Sequence, residues 1–325
     1  MNHRTGPEDG GAPLLSVIAT SHTLDRLDDA LDLMDSLGAQ TYSRMETLFV
    51  AEGCRELYER VASHIAERRI ANARVLFNDG ERGLSAARNV GIQAASGDIL
   101  AFLDDDAVAF PDWAVEVVSA CRSDSVIGLT GATLPLWDDE AMSWLPEEFY
   151  WLISCTGWTG WEDAQGMRNA WGHNMAFRRE AFQACGGFNN AHGFHRGDFA
   201  EDNEFSLRAK AATGKRIVFS PRARIWHKVH RYRLSLTWVV GRSYFIGRSR
   251  RMLQRVAGAA APLAIERGLL RRILTGLLPR TLAQLPRHPA MAARRLILTT
   301  VSLTFVAIGY LSGVLDRSAQ KGEAK

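Results

Sequence analysis

Two hydrophobic rhythms alternate over the first hundred residues of this chain. Residues 14–20 (LLSVIAT), 45–53 (METLFVAEG), 73–79 (ARVLFND) and 98–107 (DILAFLDDDA) contain short apolar runs, several rich in β-branched and aromatic residues, which predict buried strands. Between the first two, Leu24, Leu27, Leu31, Met34 and Leu37 recur at helical spacing, and Gly38 closes the segment. Residues 55–70 (RELYERVASHIAERRI) predict a second helix. Residues 83–96 (GLSAARNVGIQAAS) predict a third, opened by a glycine turn and stopped at Gly97. Strand and helix alternating at this period build βαβ units and a mainly parallel sheet. Beyond Pro111 the rhythm loosens. It returns as strand, helix and glycine stop in residues 174–188, as an amphipathic helix in 202–214, and as a strand in 215–227 that ends at His227.

The fourth strand ends in three consecutive aspartates, Asp104, Asp105 and Asp106. Ligands of such sheets bind outside the carboxyl ends of the strands, and adjacent carboxylates repel unless a cation joins them. A solvated turn would also use aspartates. At a strand end, however, paired carboxylates suit a hard divalent ion shared with substrate phosphates, magnesium or manganese. Such an ion would neutralise a leaving diphosphate.

Charge divides the chain. Residues 1–240 carry 24 Lys+Arg against 33 Asp+Glu, whereas residues 241–295 carry 12 Arg against the single Glu266. This places a composition boundary near residue 235. The four cysteines are widely separated, with no zinc spacing, and read as reduced thiols of a cytosolic domain. The polar, turn-rich start reads as a mobile tail and not a signal peptide.

The blocks SVIAT, GLSAARNVGIQAASGDILAFLDDDA, NMAFRREAFQACGGF and EDNEFSLRAKAATGKRIVFSPRARIWH, in that order, resemble family 2 inverting glycosyltransferases with the GT-A fold, over roughly residues 14–250. The later RSYFIGRSRRML is similar to a segment of members that build lipid-linked or surface glycans. The resemblance implies a Rossmann-like, mainly parallel α/β sheet, a nucleotide-sugar donor (UDP-sugar favoured) and Mg2+ or Mn2+. It implies that Asp106 and His227 hold the metal, and that Asp104 and Asp105 face the nucleotide. Arg88 would lie near nucleotide and sugar, with Thr20 and His22 lining the nucleotide pocket. Where the family commonly has VDDGS, this chain has VAEGC. Glu52 would then accept from the base with a longer reach, or the base is shifted or different. The Glu201–Asp202 pair matches the family's ED motif. Asp202 is implied as general base, a role that needs one carboxylate opposite the leaving group; an acidic residue also suits a helix N-terminus. Trp171, His173, Asn174 and Glu201 are expected on the acceptor side. Some of Trp137, Trp144, Trp151, Trp158, Trp161 and Trp171 would stack on sugar rings, although large aromatics more often serve as core.

The basic segment suggests a bilayer partner. Leu269, Leu270, Ile273, Leu274, Leu277 and Leu278 share one helical face bordered by arginines. Residues 296–315 are 20 residues without a charge, about the length that spans a membrane, with a packed amphipathic or re-entrant helix a close second reading because threonines, serines and glycines dilute the stretch. No nucleic-acid module accompanies the arginines. The expected organisation is a tail (1–13), a GT-A domain (14–235) and a helical, membrane-associated region (236–325), acting on a glycan or lipid-linked acceptor at the cytoplasmic membrane face. Two alternatives remain: a nucleotidyltransferase, for which no phosphate loop follows the first strand, and a non-catalytic membrane-bound scaffold that kept the fold.

Overall fold

The alternating rhythm folds as βαβ units: β1 (Leu15–Ser21), α1 (Leu27–Gly38), β2 (Met45–Glu52), α2 (Arg55–Arg68), β3 (Ala73–Asn78), α3 (Leu84–Ala94) and β4 (Ile99–Asp104). The structure, a computed structural model, describes residues 11–157, 166–191, 201–257 and 264–315. Then follow β5 (Ala107–Ala109), α4 (Trp113–Ala120), β6 (Val126–Trp137), β7 (Asn174–Arg178), α5 (Arg179–Cys185), α6 (Glu201–Thr213) and β8 (Arg216–Val229). The eight strands form one sheet in the order β3-β2-β1-β4-β7-β6-β8-β5. The first four run parallel to one another, and β6 runs parallel to β8. β7 runs antiparallel between β4 and β6, and β5 antiparallel to β8. The sheet is thus mixed, with its parallel half where the sequence rhythm is clearest.

Helices cover both faces, so central strands are buried on both sides and show runs instead of alternation. Leu15, Val17, Phe49 and Leu103 pack with α1, α2 and α4 on one face. Phe102, Phe177, Phe182 and Phe205 pack with α3, α5 and α6 on the other. α4, β5 and β6 are among the elements the sequence pattern does not reveal. α4 (WAVEVVSA) is apolar on nearly every side and shows no helical period, and β6 (VIGLTGATLPLW) is diluted by glycine, threonine and proline.

The basic region forms α7 (Leu236–Ala257), α8 (Ala264–Arg272), a π-helical turn (Ile273–Leu277), α9 (Leu278–Gln284) and α10 (Pro289–Leu315). It is fastened to the sheet domain by a third core. There Phe149, Leu152 and Ile153, from the tryptophan-rich stretch, meet Val239, Ile273, Leu277 and Leu298. Trp137, Trp144 and Trp151 are half-buried against this core. Their aromatic area therefore serves, at least in part, to join the two regions. Trp158 and Trp161 lie outside the described residues.

Candidate active site

The site forms where β4 ends. Asp104 is the last residue of β4, and Asp105 and Asp106 make the turn into β5. β8 pairs with β5 so that His227 stands opposite Ala107, and the amide of Lys228 donates to the carbonyl of Asp106 at 2.9 Å. This register sets the His227 ring beside the Asp106 carboxylate, with Nε2 3.2 Å from Oδ1. Asp104, Asp106 and His227 each offer one ligand atom, all within 4.8 Å of one another.

Two guanidinium groups complete the charge balance. Arg233 Nη2 donates to Asp106 Oδ2 at 2.6 Å, and Arg26 Nη1 reaches Asp106 Oδ2 at 3.1 Å and Asp105 Oδ1 at 2.9 Å. Burial, the strongest influence on Asp106, opposes its ionisation. His227, Arg233 and Arg26 together outweigh it and hold this carboxyl below the usual carboxylate range. Asp105 goes the other way: burial, then the charge on Asp106, raise its pKa against the pull of Arg26.

The donor set fits a divalent cation. Two carboxylates and an imidazole are hard or borderline ligands of the kind manganese and magnesium accept. Asp106 Oδ1 and both ring nitrogens of His227 are buried without a hydrogen-bond partner: Nε2 and Oδ1 are close, but not aligned as donor and acceptor. Buried polar atoms left so are uncommon, and a cation between them would satisfy both sides.

Arg88 joins this cluster to a second pair of carboxylates. It lies on α3, almost fully buried, and its guanidinium makes three hydrogen bonds: Nη1 to Glu201 Oε1 at 2.8 Å, Nη2 to the Gly172 carbonyl at 2.9 Å, and Nη2 to Asp104 Oδ1 at 3.4 Å. The amide of that same Gly172 donates to Asp202 Oδ2 at 2.8 Å, and the amide of Asn203 donates to Asp202 Oδ1 at 2.6 Å. A Cβ at Gly172 would stand 3.0 Å from Arg88 Nη2 and 3.3 Å from Asp202 Oδ2, so glycine permits the close approach. Burial raises the pKa of both Asp202 and Glu201. For Asp202, the Gly172 amide and Arg88 oppose the rise; for Glu201, Arg88 opposes it and Asp202 adds to it.

The other residues picked from the sequence divide by surroundings. Thr20 pairs with Asp104 in the β1–β4 register, and His22 lies exposed just beyond β1. Glu52 ends β2 and accepts from the Gly83 amide at 3.0 Å, so one of its oxygens fastens the turn that opens α3. Trp171 and His173 are half-buried with ring centroids 5.6 Å apart, and His173 lies 6.0 Å from the His227 ring. Asn174 departs from its expected acceptor-side place. It is fully buried, and its amide accepts from Trp113 Nε1 at 3.0 Å and donates to the carbonyls of Ala132 at 3.1 Å and Ala223 at 3.0 Å. That side chain ties the strands together and has no free polar atom for a substrate. Glu201 is likewise buried, turned onto Arg88. Arg26, Arg233 and Gly172 were not foreseen. Three adjacent aspartates signal that cations must be near, but nothing local shows which arginines the fold delivers.

The family model described as Glycosyl transferase family 2 matches residues 19–186. A glucosyl-dolichyl phosphate glucuronosyltransferase of Haloferax volcanii is 29% identical over 306 residues, 93% of this chain and 96% of that protein. The succinoglycan biosynthesis protein ExoM of Rhizobium meliloti is 28% identical over 168 residues, 51% of each chain. Among solved structures, the mannosyltransferase PcManGT of Pyrobaculum calidifontis, in complex with GDP-Man and Mn2+, superposes with a TM-score of 0.61 at 17% identity, covering 96% of this chain and 90% of that one. GalNAc-T7 with UDP, GalNAc and Mn2+ gives 0.53 at 16% identity, covering 80% and 54%. These two likenesses are of fold.

Proposed function

This chain belongs to glycosyl transferase family 2, and on that premise we propose that it transfers a sugar, with inversion, from a UDP-sugar to a hydroxyl of a lipid-linked or other glycan acceptor at the cytoplasmic membrane face. Family membership sets aside the nucleotidyltransferase alternative. The observation that carries the reading is the Arg88 bridge, because it joins the Asp104–Asp106–His227 cluster to the pair Glu201–Asp202 in one buried network.

In this reading Asp104, Asp106 and His227 hold a divalent ion, Mg2+ or Mn2+, whose charge would stabilise the departing diphosphate. Arg233 and Arg26 add to His227 in favouring the ionised form of Asp106. Thr20, His22 and the free oxygen of Glu52 line the nucleotide side. Asp202 takes the acceptor hydroxyl's proton as the new bond forms, and its raised pKa brings it nearer the working pH of a general base. The amides of Gly172 and Asn203 fix both of its oxygens in place. Attack from the face opposite the leaving group inverts the anomeric centre, and no covalent nucleophile is required. Trp171 and His173 flank the acceptor. The dolichyl phosphate in the name of the Haloferax relative supports a lipid-linked acceptor, and its 29% identity over nearly the whole chain is why that support has weight.

The test is a panel of UDP-, GDP- and other nucleotide-sugars with Mn2+ or Mg2+, scoring nucleotide release with and without membrane lipid extract, followed by proton NMR of the product. A UDP-sugar turned over only with metal, giving the opposite anomer, is expected. Turnover of a GDP-sugar would reassign the donor, a retained configuration would reject single displacement, and no turnover with any donor would favour the scaffold reading.

A further inference from the structure

We infer that the C-terminal helices form an in-plane docking surface for an anionic bilayer, and that α10 lies along the membrane instead of crossing it. This rests on the membrane-face reading above and adds the surface and its orientation. By length and composition Pro289–Val314 is able to cross a membrane. Its packing argues against that. At its N-terminal half Leu298, Val301 and Leu303 belong to the third core, and Arg295 donates to the Trp144 carbonyl and to Gln284.

At its C-terminal half α10 runs beside α7 in the same sense. A Cβ at Gly309 would run into the Tyr244 carbonyl, and one at Gly247 into the Val306 carbonyl; further along, Gly313 abuts the Arg251 stem and Arg255 Nη2 donates to the Val314 carbonyl at 3.1 Å. The stretch of α7 that α10 touches carries Arg248, Arg250, Arg251 and Arg255. A spanning α10 would draw these four guanidinium groups into hydrocarbon, where arginine is strongly disfavoured. It would also need Trp144 and the third core to follow.

One face of α10 remains outside this packing. Ile297, Ile308, Leu311 and Val314 stand exposed along it, Ile297 and Leu311 at 60% each, over about 26 Å at 1.5 Å per residue. Leu274 and Leu282, on the π-helical turn and α9 of the same helical region, are also exposed, at 52% and 55%. Exposed arginines, Arg267, Arg271, Arg287 and Arg294, accompany it, and between residues 264 and 315 there are seven arginines and one acid, Glu266. Glu266 is engaged with Arg168 at 3.0 Å and Arg250 at 2.8 Å. Arg272 and Arg280 are held by Glu148; apolar side chains among the exposed arginines match the boundary between acyl chains and anionic headgroups. A second copy of this chain would bring like charges together, so a bilayer is the better occupant.

The experiment uses the full chain with vesicles of phosphatidylcholine, alone or mixed with phosphatidylglycerol. Flotation with the anionic vesicles and much weaker flotation with the neutral ones are expected. Leu311→Glu, at an exposed position, should weaken binding by about tenfold or more, and each of Arg271→Gln and Arg287→Gln by about fivefold on anionic vesicles only. Spin labels at Ile297→Cys, Thr304→Cys and Leu311→Cys, with Cys54 and Cys185 changed to serine, read depth by their accessibility to oxygen and to a water-soluble nickel complex. Equal shallow depths support the in-plane surface. A maximum at position 304 falling away on both sides means a spanning helix and overturns it. So does a dimer that Leu311→Glu splits while flotation is unchanged, or no flotation with either vesicle. Metal-dependent nucleotide binding on the same preparations separates the two readings: binding without flotation rejects the docking surface alone, and flotation without binding rejects the transfer reading alone.

Discussion

At the scale of single residues the site is a problem of placing like charges close together. Asp106 is kept ionised by His227, Arg233 and Arg26, while Asp105, Glu201 and Asp202 are pushed up by burial. Asp202→Asn should leave nucleotide-sugar affinity intact by calorimetry and lower kcat on the order of 10²–10⁴-fold. Because the Asp202 pKa is raised, its basic form is lost as pH falls through a value above the ordinary aspartate range of about 4. The acid limb of kcat/KM should therefore lie above that range in the native protein, which a pH–rate profile measures directly. Asp106→Asn removes the one carboxylate that Arg233 and Arg26 share. It should abolish metal-dependent nucleotide binding and destabilise the fold by about 3–5 kcal/mol, the usual cost of breaking a buried ion pair. Unchanged Mn2+-dependent binding in titration calorimetry would remove Asp106 from the metal set. Gly172→Ala pushes a methyl against Arg88 and Asp202 together. If Asp202 is the proposed base, the expected result is a fall in kcat of about tenfold or more with an unchanged far-UV circular dichroism spectrum, since only a glycine-sized gap lets Asp202 and Arg88 both bond the backbone of one residue. The aspartates, Arg88 and the Glu201–Asp202 pair were visible in the sequence because they stand in ordered blocks. Arg26, Gly172 and Arg233 were not, because their contacts to the site cross 80, 30 and 127 positions of chain respectively.

At the scale of elements, the strand registers bring the site together. His227 reaches Asp106 only because β8 pairs with β5, and β5 has three residues that no hydropathy window registers. The helix pair α7–α10 shows the same dependence on a few close approaches. Gly309→Leu would force a side chain into the Tyr244 backbone and separate the two helices. Overpacking of this kind costs roughly 1–3 kcal/mol or more. A thermal transition lowered by several degrees, with the C-terminal helices becoming sensitive to limited proteolysis before the sheet domain, is the expected outcome. Equal protease resistance of both regions would mean that the helices are held by the third core alone. Glu148 adds a polar fastening to the same junction: it is buried, and it accepts from Arg272 at 3.0 Å and Arg280 at 3.1 Å.

For the whole molecule, the buried carboxylates tie stability to pH. Asp105, Glu201 and Asp202 hold protons more tightly folded than unfolded, so their contribution is fully present below the unfolded carboxylate pKa and is lost as pH rises through the raised folded values. Asp106, with its lowered pKa, contributes in the opposite sense. Its share is present above the unfolded value and lost only in stronger acid. Between mildly acidic and neutral pH the three carboxylates with raised values lose stability as pH rises, while His173, whose imidazole burial pushes well below its usual range, gains it. Scanning calorimetry on the wild type and on Glu201→Gln isolates one carboxylate: relative to the variant, the metal-free wild type should lose melting temperature between about pH 5 and neutral pH, and an identical slope would mean that Glu201 titrates normally.

The order of strands and helices from β1 to β4, the triple aspartate at a strand end, the ED pair at a helix start and the charge boundary near residue 235 all followed from the sequence. Each is a local pattern, set by the period of apolar residues or by charge within one stretch of chain. The tertiary structure alone decided which cations meet the aspartates, that Asn174 is a tie between strands, and that the long apolar helix is fastened along its length to an arginine-bearing partner. Those outcomes depend on contacts between residues far apart in the chain, and neither periodicity nor composition carries information about distance through space.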